Sequence, residues 1–144
     1  MKRFDLQMID WYVDQSWWVQ LIKHFICLGD SFEIVCWKDE LEEISIAKKL
    51  GSLVPNKYGK NEVAISGLVS EEFFQAIFDS SQLDKETYNK MTRFFTINFK
   101  NDRCNLSSAH YGTEIYIDIY REEDVLFFTN LMDGYKDYFS LGEV

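Results

Sequence analysis

Two stretches of this chain alternate between apolar and other residues, and they decide much of what it can fold into. In Arg93–Lys100, Phe95, Ile97 and Phe99 alternate with Phe94, Thr96, Asn98 and Lys100. In Thr113–Tyr120, Ile115, Ile117 and Ile119 alternate with Glu114, Tyr116, Asp118 and Tyr120. A period of two sends successive side chains to opposite faces, so each stretch reads as a strand with one face on a core. Two such strands in succession predict an antiparallel pair. Their connection, Asn101–Gly112, exceeds an ordinary hairpin loop, a length that often marks function.

Elsewhere the helical period dominates. From Gln15 to Leu28, Trp17, Trp18, Leu21, Ile22, Phe25 and Ile26 form one broad apolar arc, with Asp14 or Ser16 to cap the start and Gly29 to stop it. Ser31–Trp37 is apolar on both faces, the signature of a central strand. Asp39 and Glu42 have the spacing of a capping box and open a helix to Leu50, with Gly51 after it. Asn56–Asn61 is a loop, and Glu62–Val69 a strand in which Gly67 suggests a bulge. Ser70 caps a short helix, Asp84 opens another through Met91, and Glu122–Met132 forms the last, stopped by Gly134. The tail Tyr135–Leu141 is aromatic enough to dock. These elements predict a single α+β domain over residues 1–144: a mostly antiparallel sheet of about four strands with helices packed on one face.

Composition sets the class. Of 144 residues, 47% are hydrophobic and 17% aromatic, with a single proline at Pro55, so the chain can bury a core without staples. The three cysteines, Cys27, Cys36 and Cys104, are odd in number and form no CxxC pair, which suits a reducing cytoplasm. No secretory leader and no transmembrane run is visible. The net charge of −9 argues against nucleic acid or anionic membrane as a direct partner. Thr113–Val144 carries eight acids against two bases, so it holds −6 of that −9. The excess reads either as solubility or as a face that attracts a basic protein.

No sequence constellation for chemistry stands out. His24 and Cys27 make half a ligand set at i,i+3 with no second pair, so neither a metal nor any other cofactor is expected. The glycines form no phosphate-binding pattern. A small enzyme would use either Cys104 and His110, which share the long connection, or carboxylates among the 24 acids, from which no pair stands out; a Cys–His dyad needs contact and a lowered thiol pKa. The polar face of the strand pair is the stronger feature. Tyr116 and Tyr120 alternate there with Glu114 and Asp118, beside Phe94 and Lys100, and Glu122 and Glu123 follow. Tyrosine gives rigid contact area at low entropic cost, and carboxylates select a basic partner. Glu114, Tyr116, Asp118, Tyr120, Glu122 and Glu123 are therefore the candidate partner-binding residues.

In size, acidity and aromatic content the chain resembles bacterial toxin-immunity proteins. That resemblance implies an inhibitor without catalysis of its own, masking a basic toxin by covering or distorting its active site. A nucleic-acid-mimicking inhibitor is the other non-enzymatic alternative, which carboxylates spread over a whole face would favour.

Overall fold

The computed structural model describes residues 1–81, 83 and 89–144. Its strands are β1 (Lys2–Met8), β2 (Ser31–Trp37), β3 (Ser52–Val54), β4 (Glu62–Leu68), β5 (Thr96–Lys100), β6 (Cys104–Ala109), β7 (Glu114–Ile119) and β8 (Phe139–Glu143). Its α-helices are α1 (Ser16–Phe25), α2 (Leu41–Leu50), α3 (Glu71–Phe78) and α4 (Glu122–Asp133). All eight strands join one sheet in the order β3-β4-β2-β5-β6-β7-β1-β8, antiparallel at every pairing. Among the described residues no helix is long and apolar enough to cross a membrane.

Register sorts the side chains into two faces. Phe4, Leu6, Phe32, Ile34, Ile97, Phe99, Leu106, Ile115 and Ile117 point one way into a single buried cluster. The helices meet them there. Phe128 of α4 stands 5.0 Å from Phe4, Trp17 of α1 stands 4.5 Å from Phe139, and Phe73 of α3 stands 4.3 Å from Phe32. Ile44 and Ala47 of α2 enter the same cluster. The opposite face carries Arg3, Asp5, Glu33, Asn98, Asn105, Ser107, Tyr116 and Asp118, and among the described residues no helix packs on it.

The α+β class holds, and the expectation of about four strands is corrected to eight among the described residues. β6 lies between β5 and β7, so the two alternating stretches are not neighbours. Cys-Asn-Leu-Ser-Ser-Ala has weak intrinsic strand preference, and pairing on both sides supplies what the residues lack. β1 alternates cleanly, with Phe4 and Leu6 buried, but its seven residues lie next to the chain's start with no partner strand nearby in sequence. β3 has three residues, too few for a periodic signal. The docked tail is β8. Phe94 does not stand on the polar face but is fully buried, because regular pairing of β5 starts only at Thr96.

Local details differ too. Pairing of β2 with β4 runs through Phe32 and Gly67 without a bulge. A Cβ at Gly67 would lie 2.9 Å from the Phe32 ring and 3.0 Å from the Leu50 carbonyl, so the glycine makes room for both. Ser70 accepts from the Phe73 amide as a helix cap should. The Asp39 capping box does not form: α2 starts at Leu41, and Glu40 instead accepts the Trp37 amide at 2.8 Å. α1 ends at Phe25 rather than Leu28 because its last carbonyls have partners from elsewhere. Asn101 and Arg103, in the β5–β6 turn, each donate to the Phe25 carbonyl at 2.8 Å. The helix expected from Asp84 to Met91 falls largely outside the described residues.

Candidate partner-binding face

The cross-strand register turns scattered residues into rows. Ser66, Glu33, Asn98, Ser107, Tyr116 and Asp5 face one another in turn across β4, β2, β5, β6, β7 and β1. Lys100, Asn105, Asp118 and Arg3 form the next row. Asparagine is disfavoured in strands, so its presence at the centre of a sheet calls for a reason. Here Asn98, Asn105 and Ser107 are short side chains between taller ones, and they floor a trough. Two shallow hollows of about 340 and 350 Å³ meet at Asn98 and Phe99.

One wall of the trough is built on Glu33. This carboxylate is buried on the helix-free face because the β3–β4 connection folds over it. Tyr58 donates to it at 2.6 Å, Asn98 at 2.9 Å, and Lys57 through its ammonium. Burial raises the Glu33 carboxyl, but the bonds from Lys57, Tyr58 and Asn98 outweigh burial and hold it below the usual glutamate range. A depressed folded-state pKa contributes stability that is present above the unfolded-state value and lost as pH falls through the folded one. Acid titration of stability should therefore be steeper for the parent protein than for Glu33→Gln. Denaturant melts at successive pH values check this, and parallel curves would count against it.

The other wall is β7 with β1. Arg3 grips Asp118 with both arms of its fork, Nε to Oδ1 at 2.6 Å and Nη2 to Oδ2 at 3.0 Å. Those bonds pull the Asp118 carboxyl below its ordinary value. The Tyr116 hydroxyl donates to Glu114 at 2.7 Å, and His110 Nδ1 lies 2.9 Å from the same Glu114 oxygen. The bond to Glu114 raises the Tyr116 phenol. Asn105 donates to the Tyr120 hydroxyl at 2.9 Å. Tyr116 and Tyr120 keep 38% and 42% of their surface in solvent, enough to touch a partner while their tips are already held.

Four of the six residues expected to bind a partner thus come together: Glu114, Tyr116, Asp118 and Tyr120. Glu122 and Glu123 do not join them. They sit exposed in the first turn of α4, where negative charge suits the helix dipole. The sequence reading missed Arg3, Glu33, Lys57, Tyr58, Asn98, Asn105 and Ser107. The asparagines and serines at alternate positions of two adjacent stretches were the available signal.

The structure does not bring Cys104 and His110 together. Cys104 opens β6 and His110 follows its far end, a strand length of roughly 20 Å away. The Cys104 thiol is fully buried in the core, and burial pushes it up to about 12, with the nearby Arg103 opposing only in part. His24 meets Asp124 at 2.9 Å and stacks on Phe127, joining α1 to α4. Cys27 is exposed and accepts from Arg103 at 3.0 Å. Among the described residues no three His, Cys, Asp or Glu side chains converge as metal ligands would. Comparison of the chain with protein-family models, curated proteins and solved structures gave no match.

Proposed function

We propose that this protein is a binding module that masks a basic protein partner with the helix-free face of its sheet, as an immunity-type inhibitor masks its toxin. The observation that carries the reading is the trough itself. Half-exposed tyrosines and carboxylates stand along it in positions already fixed by Arg3, His110 and Asn105. Side chains that are ordered before encounter lose less entropy on binding. Acidic and basic groups alternate across the face, with Arg3, Lys57 and Lys100 among the carboxylates. That mixture supports recognition of a protein surface over mimicry of a phosphate backbone. Three free cysteines, with Cys36 and Cys104 buried, support action in the cytoplasm.

The test uses the product of the reading frame next to this one as the probe, in growth protection on co-expression and in surface plasmon resonance. Tyr116→Ala and Tyr120→Ala are expected to speed dissociation, a true anchor costing at least about 2 kcal/mol of binding. Glu114→Lys should slow association and flatten its salt dependence. Glu122→Lys and Glu123→Lys, off the face, should change little. Parent-like rates for the first three variants would overturn the face as the interface.

A further inference from the structure

The sheet has two edges, and they are treated differently. The β3 edge is three residues long and is followed at once by Pro55, which has no N–H to offer; both features blunt an edge. The β8 edge has five residues, no proline, and a register with β1 that shows no bulge. Hydrogen bonds at the two ends of that pairing set which way its backbone points. Val144 donates to the Arg3 carbonyl at 2.9 Å, and Ile9 donates to the Tyr138 carbonyl at 2.8 Å. Alternation along an antiparallel pair then turns Ser140 and Gly142 toward β1. The N–H and C=O groups of Phe139, Leu141 and Glu143 point outward, away from the sheet.

Gly142 is the second observation. Its φ is not positive, and a Cβ there would meet nothing nearer than the Asp5 carbonyl at 4.0 Å. Neither the backbone nor crowding within the chain demands a glycine. Glycine inside a strand weakens it and often marks close approach of another backbone. At residues whose own bonds face inward, a strand added to the edge comes closest, with Cα atoms about 4.5 Å apart.

We propose that β8 pairs antiparallel with β8 of a second copy of this chain, about a two-fold axis at Leu141. In this register Leu141, 42% exposed, meets its own equivalent. Gly142 meets Ser140 at the narrow positions, so the two smallest side chains of the strand share the closest approach. Phe139 meets Glu143. Beside Phe139 is a hollow of about 280 Å³ lined by Leu6, Met132, Asp133, Lys136 and Leu141. Glu143 lies on the same side of β8 as Phe139 and is already paired with Lys2 of its own chain at 3.3 Å, so the second copy's Glu143 reaches the rim of this hollow with its charge offset. The charge of −9 on each chain opposes association, but at physiological ionic strength it is screened beyond about 8 Å. Two sheets of eight strands become one continuous sheet.

Sedimentation equilibrium of the full chain, from micromolar to hundreds of micromolar, is the test. The parent is expected to reach a dimer. Leu141→Lys and Leu141→Glu each place like charges together on the axis, and each should remain monomeric where the parent is dimeric. Mixing those two variants in equal amounts should restore the dimer, since unlike charges then meet. Thermal melts of both variants read whether the fold survives, and recovery in the mixture requires that it does. A monomeric parent, a dimer that persists in either variant, or a mixture that stays monomeric would each overturn the proposal.

Discussion

Trp18→Ala is expected to destabilise the fold by about 3–5 kcal/mol, the range for removing a large aromatic from a core. Trp18 has no exposed surface, and its ring meets Phe78 edge-on at 5.8 Å. Its indole Nε1 also donates to Ser108 Oγ at 3.0 Å, tying α1 to the middle of the sheet. Trp18→Phe keeps most of the apolar contact but leaves the fully buried Ser108 hydroxyl without its donor, a penalty of roughly 1–3 kcal/mol. Adding Ser108→Ala should recover part of that loss, the coupling a double-mutant cycle reads. Trp17 supplies the contrast. It is equally buried, but its Nε1 has no partner among the described residues, so Trp17→Phe deletes an unpaired donor. Urea melts should therefore rank Trp17→Phe as milder than Trp18→Phe. The reverse order would show that ring volume outweighs the hydrogen bond.

The same bond explains why the strand holding Ser108 could not be read in advance. Cys104-Asn105-Leu106-Ser107-Ser108-Ala109 alternates, with Cys104, Leu106 and Ser108 inward, but a serine facing a core is not an apolar signal. Its place is fixed by Trp18, ninety residues earlier in the chain. By contrast, Ile115, Ile117 and Ile119 declare their face from sequence alone, as do the α1 tryptophans. Strands with three strongly apolar inward residues were legible, whereas β1, with only Phe4 and Leu6 inward, was not. Strands completed by tertiary partners were not.

The candidate site divides along the same line. Tyr116 and Asp118 were legible because they alternate with isoleucines on one strand. That Asp118 is gripped by Arg3 depends on β1 pairing with β7 across most of the chain's length. Glu33 sat in a run with apolar neighbours on both sides, and nothing local announced that Lys57, Tyr58 and Asn98 would converge on it. Glu122 and Glu123 follow β7 directly in sequence, yet a strand and the helix after it need not share a surface. Proximity in sequence overestimated the extent of the face on one side and missed its floor on the other.

Gly112→Ala is the other substitution expected to cost heavily, and Gly29→Ala gives its control. Both glycines hold a left-handed backbone, with φ of 86° at Gly112 and 89° at Gly29. A side chain in that region costs roughly 1–2 kcal/mol from its own sterics. Around Gly29 there is nothing within 4 Å of an added Cβ, so Gly29→Ala should cost that amount and little more. At Gly112 the added Cβ would stand 2.7 Å from Met91 Cβ and 3.0 Å from Trp18 Nε1, in the interior. Met91 and Trp18 are fully buried, and overpacking a filled core adds typically 1–3 kcal/mol. His110 and Tyr111 precede Gly112 with φ of 49° and 61°, so the turn has no relaxed neighbour to absorb a shift. Gly112→Ala is therefore expected to lose about 2–5 kcal/mol, well beyond Gly29→Ala. Because the added Cβ presses on the Trp18 indole as well as on Met91, the indole fluorescence should change in Gly112→Ala and not in Gly29→Ala. Equal losses in the two variants would mean that the turn carries backbone strain alone and does not press on the core.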